Sequence, residues 1–82
     1  MQPIYLDVRT LAEFAEGHYP NAINHDVQLL MAGTFPDESL IPKDAQIAIY
    51  CRSGGRAGAA EQVLQQAGYI HAKNVGGLSD LA

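Results

Sequence analysis

One stretch limits what this chain can fold into more than any other. The β-rich run Gln46–Tyr50 (QIAIY) passes directly into Cys51-Arg52-Ser53-Gly54-Gly55-Arg56, and that loop passes directly into a segment of helical period from about Arg56 to Ala67. Ala60, Val63, Leu64 and Ala67 recur at i, i+3, i+4 and i+7, which marks a buried helix face, and Gly68 supplies the stop. A strand that turns through glycines straight into a helix is half of a βαβ unit, in which ligands bind at the carboxyl ends of the strands.

The remainder of the chain follows the same alternation. Ile4–Val8 (IYLDV) reads as a buried strand. Thr10 with Glu13 three residues on forms a capping box, and Leu11, Phe14 and Ala15 give the short helix an apolar face before Gly17 ends it. A turn at His18–Asn24 leads into a short extended piece at Ala22–Asn24. Asp26 then caps a second helix carrying Val27, Leu29, Leu30 and Met31. Gly33–Lys43, with Pro36 and Pro42, reads as a loop holding at most one helical turn. His71–Val75 is the last strand, closed by Gly76-Gly77, and Leu78–Ala82 is a stub of helix. Strand and helix in strict alternation predict a parallel sheet covered on both faces, an α/β fold. With 82 residues there is room for one small domain, 1–82.

Composition removes several function classes. A single cysteine allows no internal disulfide, and His18, His25 and His71 form no metal-ligand spacing with it. A net charge of −4 argues against a general nucleic-acid-binding role. No apolar run approaches the ~20 residues that span a membrane, and no basic-then-apolar leader opens the chain. The charge is unevenly spread, however. No acid falls between Asp44 and Glu61, and Arg52 and Arg56 both lie in that gap. A locally positive spot on an acidic protein points to a small anionic substrate.

Cys51 sits in that spot. A lone cysteine at a strand end is ordinarily a small hydrophobe. Here Gly54 and Gly55 let several backbone N–H groups turn to one point at the start of a helix, which makes a nest for an anion. The same field favours thiolate over thiol, with Arg52 and Arg56 positioned to add to it. A phosphate-binding P-loop would need Lys followed by Ser or Thr at the loop's end, and Arg56-Ala57 stands there instead.

Four stretches carry a family resemblance: DVRT at Asp7–Thr10, EFAEGHYPNAIN at Glu13–Asn24, IYCRSGGRA at Ile49–Ala57 and NVGGL at Asn74–Leu78. In this order, over nearly the whole chain, they resemble the single-domain rhodaneses, which are thiosulfate sulfurtransferases. Within that family the chain looks like the small, exported bacterial type related to phage shock protein E. The resemblance implies a three-layer α/β/α rhodanese-like fold with a parallel sheet of four to five strands. It implies that Cys51 is the nucleophile that becomes a persulfide, and that Arg52, Ser53, Gly54, Gly55 and Arg56 cradle the donor. Asp7 and Arg9 would be structural partners near the loop, and His18 of the turn structural too.

The chain departs from the family pattern at Asn21, where glycine is usual; asparagine tolerates a left-handed turn. The strand and helix that commonly precede the DVR strand are absent, and the last helix is clipped. That leaves a sheet edge or face more exposed and makes a monomer or a weak homodimer the expectation. The implied reaction uses a small anionic sulfur donor and a cyanide or thiol acceptor, with no metal, organic cofactor, nucleic acid or membrane. The compartment is periplasmic for a mature exported form and cytoplasmic otherwise. Two rival readings stand beside this one. One is a sulfur carrier or binding module without turnover. The other is a Cys-dependent phosphatase, whose loop between Cys and Arg is one residue longer than Arg52–Gly55.

Overall fold

Four parallel strands lie in the order β2-β1-β3-β4, where β1 is Ile4–Asp7, β2 Ile23–Asn24, β3 Ile47–Cys51 and β4 Ala72–Gly77. The computed structural model describes residues 2–81. Three helices connect the strands: α1 (Leu11–Glu16), α2 (Val27–Met31) and α3 (Gly55–Gln66). A 3-10 turn follows at Leu78–Leu81; the expected helical stub extended to Ala82, which lies outside the described residues. Among the described residues the sheet has four strands, the smaller of the two numbers expected. None of the described helices is long and apolar enough to cross a membrane.

Register explains how the core is divided. Ile4, Tyr5, Leu6 and Asp7 pair with Ile47, Ala48, Ile49 and Tyr50. Side chains alternate between faces along a strand, so Leu6, Ile47, Ile49 and Cys51 share one face. There they join a cluster with Val27 and Leu30 of α2 and Ala57, Ala60 and Leu64 of α3. Tyr5, Asp7, Ala48 and Tyr50 point to the other face. Right-handed crossovers put α1 on that side, opposite α2 and α3, which completes three layers. α1 buries no residue of its own. The Tyr19 ring beyond it packs on Tyr5 with centroids 4.3 Å apart.

Several expected apolar faces are narrower than the sequence suggests. α2 buries Val27 and Leu30, while Leu29 and Met31 are exposed, and on α1 Leu11 is 71% exposed. Helices of five and six residues complete fewer than two turns, so one face of each offers two or three positions. On α3 the buried stripe is Ala57, Ala60 and Leu64, with Val63 and Ala67 half-buried at its margin. The 33–43 loop is more firmly anchored than its composition implies. Ile41 is fully buried and Phe35 stacks near Tyr69.

β4 runs two residues past its expected end. After an irregularity between Ile49 and Cys51, Gly77 aligns with Cys51. The two glycines read as a strand stop are the strand's continuation beside the site.

Candidate functional site around Cys51

Cys51 is the last residue of β3, between β1 and β4, and only 1% exposed. The chain then turns sharply. Gly54 has φ of 99°, a left-handed conformation that favours glycine, and it serves as the N-cap of α3 without a side-chain hydrogen bond. Its N–H donates to Cys51 Sγ at 2.9 Å. Burial pushes the thiol up, but hydrogen bonding from the backbone N–H groups of Ala57, Gly54, Ser53 and Arg56 outweighs burial. The thiol is held below its ordinary range. The ionising field thus comes from the start of α3 and its loop, as a helix N-terminus supplies it.

The two arginine side chains are both drawn to one carboxylate, that of Glu13. Arg56 is gripped by Glu13 through two parallel bonds, Nη1 to Oε1 at 2.7 Å and Nη2 to Oε2 at 3.0 Å. Arg52 has a largely exposed side chain whose Nε stands 3.7 Å from Glu13 Oε2. Arg56 and the Cys51 thiolate still favour each other's charge through space, while the backbone amides of the loop and of the start of α3 are the leading groups that lower the thiol. The structure therefore brings Cys51, Ser53, Gly54 and Arg56 together through the backbone and turns both arginine side chains towards α1. Gly55 opens α3 and its backbone continues the curve.

Glu13 was visible in the sequence only as a helix cap, a role it keeps. Thr10 N–H donates to its Oε1 at 3.0 Å, and its own N–H donates to Thr10 Oγ1 at 3.2 Å. Arg56, first among the causes, and the Thr10 backbone hold its carboxyl down at about 2. Nothing local announces the second role, because Arg56 is 43 positions away.

The loop is braced from β4. Asn74 Nδ2 donates to the Gly54 carbonyl at 3.1 Å, and Asn74 Oδ1 accepts from Gly76 N–H at 2.8 Å. Asp80 Oδ2 accepts from Gly77 N–H at 2.8 Å. A Cβ on Gly77 would run into the Arg52 carbonyl, so the close approach of β4 to the loop requires glycine there. The Asn-x-Gly-Gly pattern was the available signal for this brace; Asp80 left none.

Beneath the other face, Asp7 is fully buried and Arg9 nearly so. Arg9 Nε donates to Asp7 Oδ1 at 3.0 Å and Arg9 Nη2 to Oδ2 at 2.7 Å. Tyr50 O–H donates to Oδ2 at 2.8 Å and accepts from Tyr19 N–H at 3.0 Å. Burial, first, and the Asp7 carboxylate push the Tyr50 phenol up to about 12. This network fixes the residue just before Cys51. His18 is exposed, stacked on Phe14 and bonded through Nδ1 to the Phe14 carbonyl, so its contacts are local. Asn21 has φ of 65°, in the left-handed region.

The family model of the Rhodanese-like domain matches residues 2–81. The chain belongs to the rhodanese family. This rhodanese is 33% identical over 81 residues to the thiosulfate sulfurtransferase PspE of Escherichia coli (strain K12), covering 95% of this chain and 73% of that protein. It is 39% identical over 74 residues to a sulfurtransferase of Allochromatium vinosum, covering 90% of this chain and 65% of the relative. Among solved structures it superposes on a rhodanese with anions from E. coli with a TM-score of 0.84 at 29% identity, over 99% of this chain and 93% of that one. Chemically, the Cys51 site of this rhodanese can hold a thiolate at the focus of converging amides, and can equally hold negative charge on an atom attached to that sulfur.

Proposed function

We propose that this rhodanese is a thiosulfate sulfurtransferase working through a Cys51 persulfide. The observation that carries the reading is the Gly54 N–H donating to Cys51 Sγ at 2.9 Å at the start of α3, where the amides of Ala57, Ser53 and Arg56 also favour the thiolate. The thiolate attacks the outer sulfur of thiosulfate. A Cys–S bond forms, the S–S bond of thiosulfate breaks, and its electron pair leaves with sulfite. The terminal sulfur of the persulfide then carries the negative charge in the nest, where amide dipoles stabilise it without reorganising. In the second half-reaction cyanide or a thiolate attacks that terminal sulfur and the pair returns to Cys51, a two-step covalent route. Arg52, Ser53, Gly54, Gly55 and Arg56 receive the anionic donor. The chain's one cysteine cannot be resolved by another, so the acceptor comes from outside this chain.

The test is intact-mass spectrometry after thiosulfate treatment, followed by cyanide and a panel of thiols. The protein should gain one sulfur atom at Cys51 and lose it to the acceptor. Cys51→Ser should neither gain sulfur nor form thiocyanate. A Cys51→Ser protein producing thiocyanate at the wild-type rate would refute the proposal.

A further inference from the structure

The mouth of the Cys51 cradle carries two positive side chains, Arg52 and Arg56, and one negative one, Glu13, which contacts both. A capping box needs only one carboxylate oxygen. Oε1 meets that need by accepting from Thr10, and it also accepts from Arg56 Nη1. The second oxygen, Oε2, serves the loop alone, accepting from Arg56 Nη2 and facing Arg52 Nε. Arg56 therefore spends both terminal nitrogens on Glu13, and Cys51 and Asp26 also act on it through space. Arg52, largely exposed and without a short bond to Glu13, is the cation left for an incoming anion.

We propose that Glu13 is a specificity-determining residue: by neutralising Arg56 and reaching Arg52 it limits the positive field at the mouth of the cradle, and so sets how strongly Cys51 prefers an anionic sulfur donor over an uncharged one. As a statement about donors this rests on the sulfurtransferase reading; as a statement about the field at Cys51 it does not. A rhodanese with a neutral residue at this position would favour dianions more strongly. With Glu13 in place, monoanionic and uncharged sulfane compounds compete on closer terms.

The experiment uses Glu13→Gln. Glutamine keeps the capping box, since its amide oxygen can accept from Thr10, while its NH2 group replaces the oxygen that binds Arg56 Nη2. Because the chain has one cysteine, alkylation reports on Cys51 alone. The rate with iodoacetate divided by the rate with iodoacetamide, at low ionic strength, cancels the intrinsic nucleophilicity of the thiolate and reads the field. This ratio should rise about two- to fourfold in the variant, the effect of one unit charge acting across roughly 5–10 Å of a water-like dielectric. For dianionic thiosulfate measured against a monoanionic alkanethiosulfonate, whose outer sulfur passes to Cys51 as the sulfinate leaves, the ratio of kcat/KM values should rise by about the same factor, and both gains should shrink in salt. An alkylation ratio that stays at the wild-type value or falls overturns the assignment. If Glu13 merely holds the loop in shape, both alkylation rates fall together and the ratio does not move. A wild-type protein that takes no sulfur from either donor, while the variant still shows the alkylation shift, removes the sulfurtransferase reading and keeps the field effect.

Discussion

Replacing Asp7 with alanine tests the buried network under Tyr50, and its cost can be worked from the contacts. Asp7 is fully buried, and Arg9 beside it is 5% exposed. Removing one partner of a buried ion pair costs about 3–5 kcal/mol, because the other charge is left uncompensated. Arg9 would retain the Gly17 carbonyl, 2.7 Å from Nη2, and the Tyr50 ring, 5.7 Å away, which places the loss near about 3 kcal/mol, at the low end of that range. Tyr50 would lose the acceptor of its O–H, for about another 1 kcal/mol. The total of about 4 kcal/mol is a large share of the roughly 4–12 kcal/mol that a chain of 82 residues commands. With a urea m-value of about 1 kcal/mol/M, the midpoint of unfolding followed by circular dichroism should fall by about 4 M, or the variant should be unfolded in buffer. The double variant Asp7→Ala/Arg9→Met removes the orphaned charge along with its partner and should be more stable than Asp7→Ala alone. A single variant losing under about 1 kcal/mol would refute this reasoning, as would a double variant less stable than Asp7→Ala.

Two further outcomes follow from the site. The rate of Cys51 alkylation by iodoacetamide should rise with pH to a midpoint below the usual thiol value of about 8.5; a midpoint at or above it would remove the amide nest as an ionising field. The folded-state value is lowered, so the stabilisation from ionising Cys51 is fully present above the unfolded value and is lost as pH falls through the folded one. The stability of wild type relative to Cys51→Ala should therefore be greatest above the usual thiol value of about 8.5 and shrink as pH falls below it. Gly77→Ala places a methyl group against the Arg52 carbonyl. Overpacking of this kind costs about 1–3 kcal/mol, and Tm should drop by about 4–8 °C per kcal/mol; an unchanged Tm would mean that β4 does not pin the loop.

The layers of the fold were legible because their signals are local. A capping box at Thr10 and Glu13, an Asp26 cap, and a strand running into a glycine turn each occupy a few adjacent residues, and the structure contains all of them. The position of Cys51 at the end of a strand and the mouth of a helix was legible for the same reason. What could not be read was set by distance in sequence. The Glu13–Arg56 pair and the Asn74 brace on Gly54 join elements that only the sheet order brings together. The glycines of β4 looked like a terminus because a strand without side chains has no period. The exposure of Leu11, Leu29 and Met31 was hidden for a related reason: helices this short contain too little of a repeat to say which side faces in.

The sheet order β2-β1-β3-β4 also bears on how the chain reaches its folded state. β1 and β3 are neighbours in the sheet, yet Asp7 and Ile47, which end one and begin the other, are separated by two helices, β2 and a long loop. Closing that separation costs chain entropy before the contacts that reward it exist, and parallel pairings of this kind slow folding. β3, α3 and β4, by contrast, are consecutive and close through one short crossover. The segment that holds the reactive sulfur is thus the most local unit of the fold. It can assemble early and serve as the template on which the N-terminal third of the chain later docks, bringing Glu13 to a loop whose turn is already made.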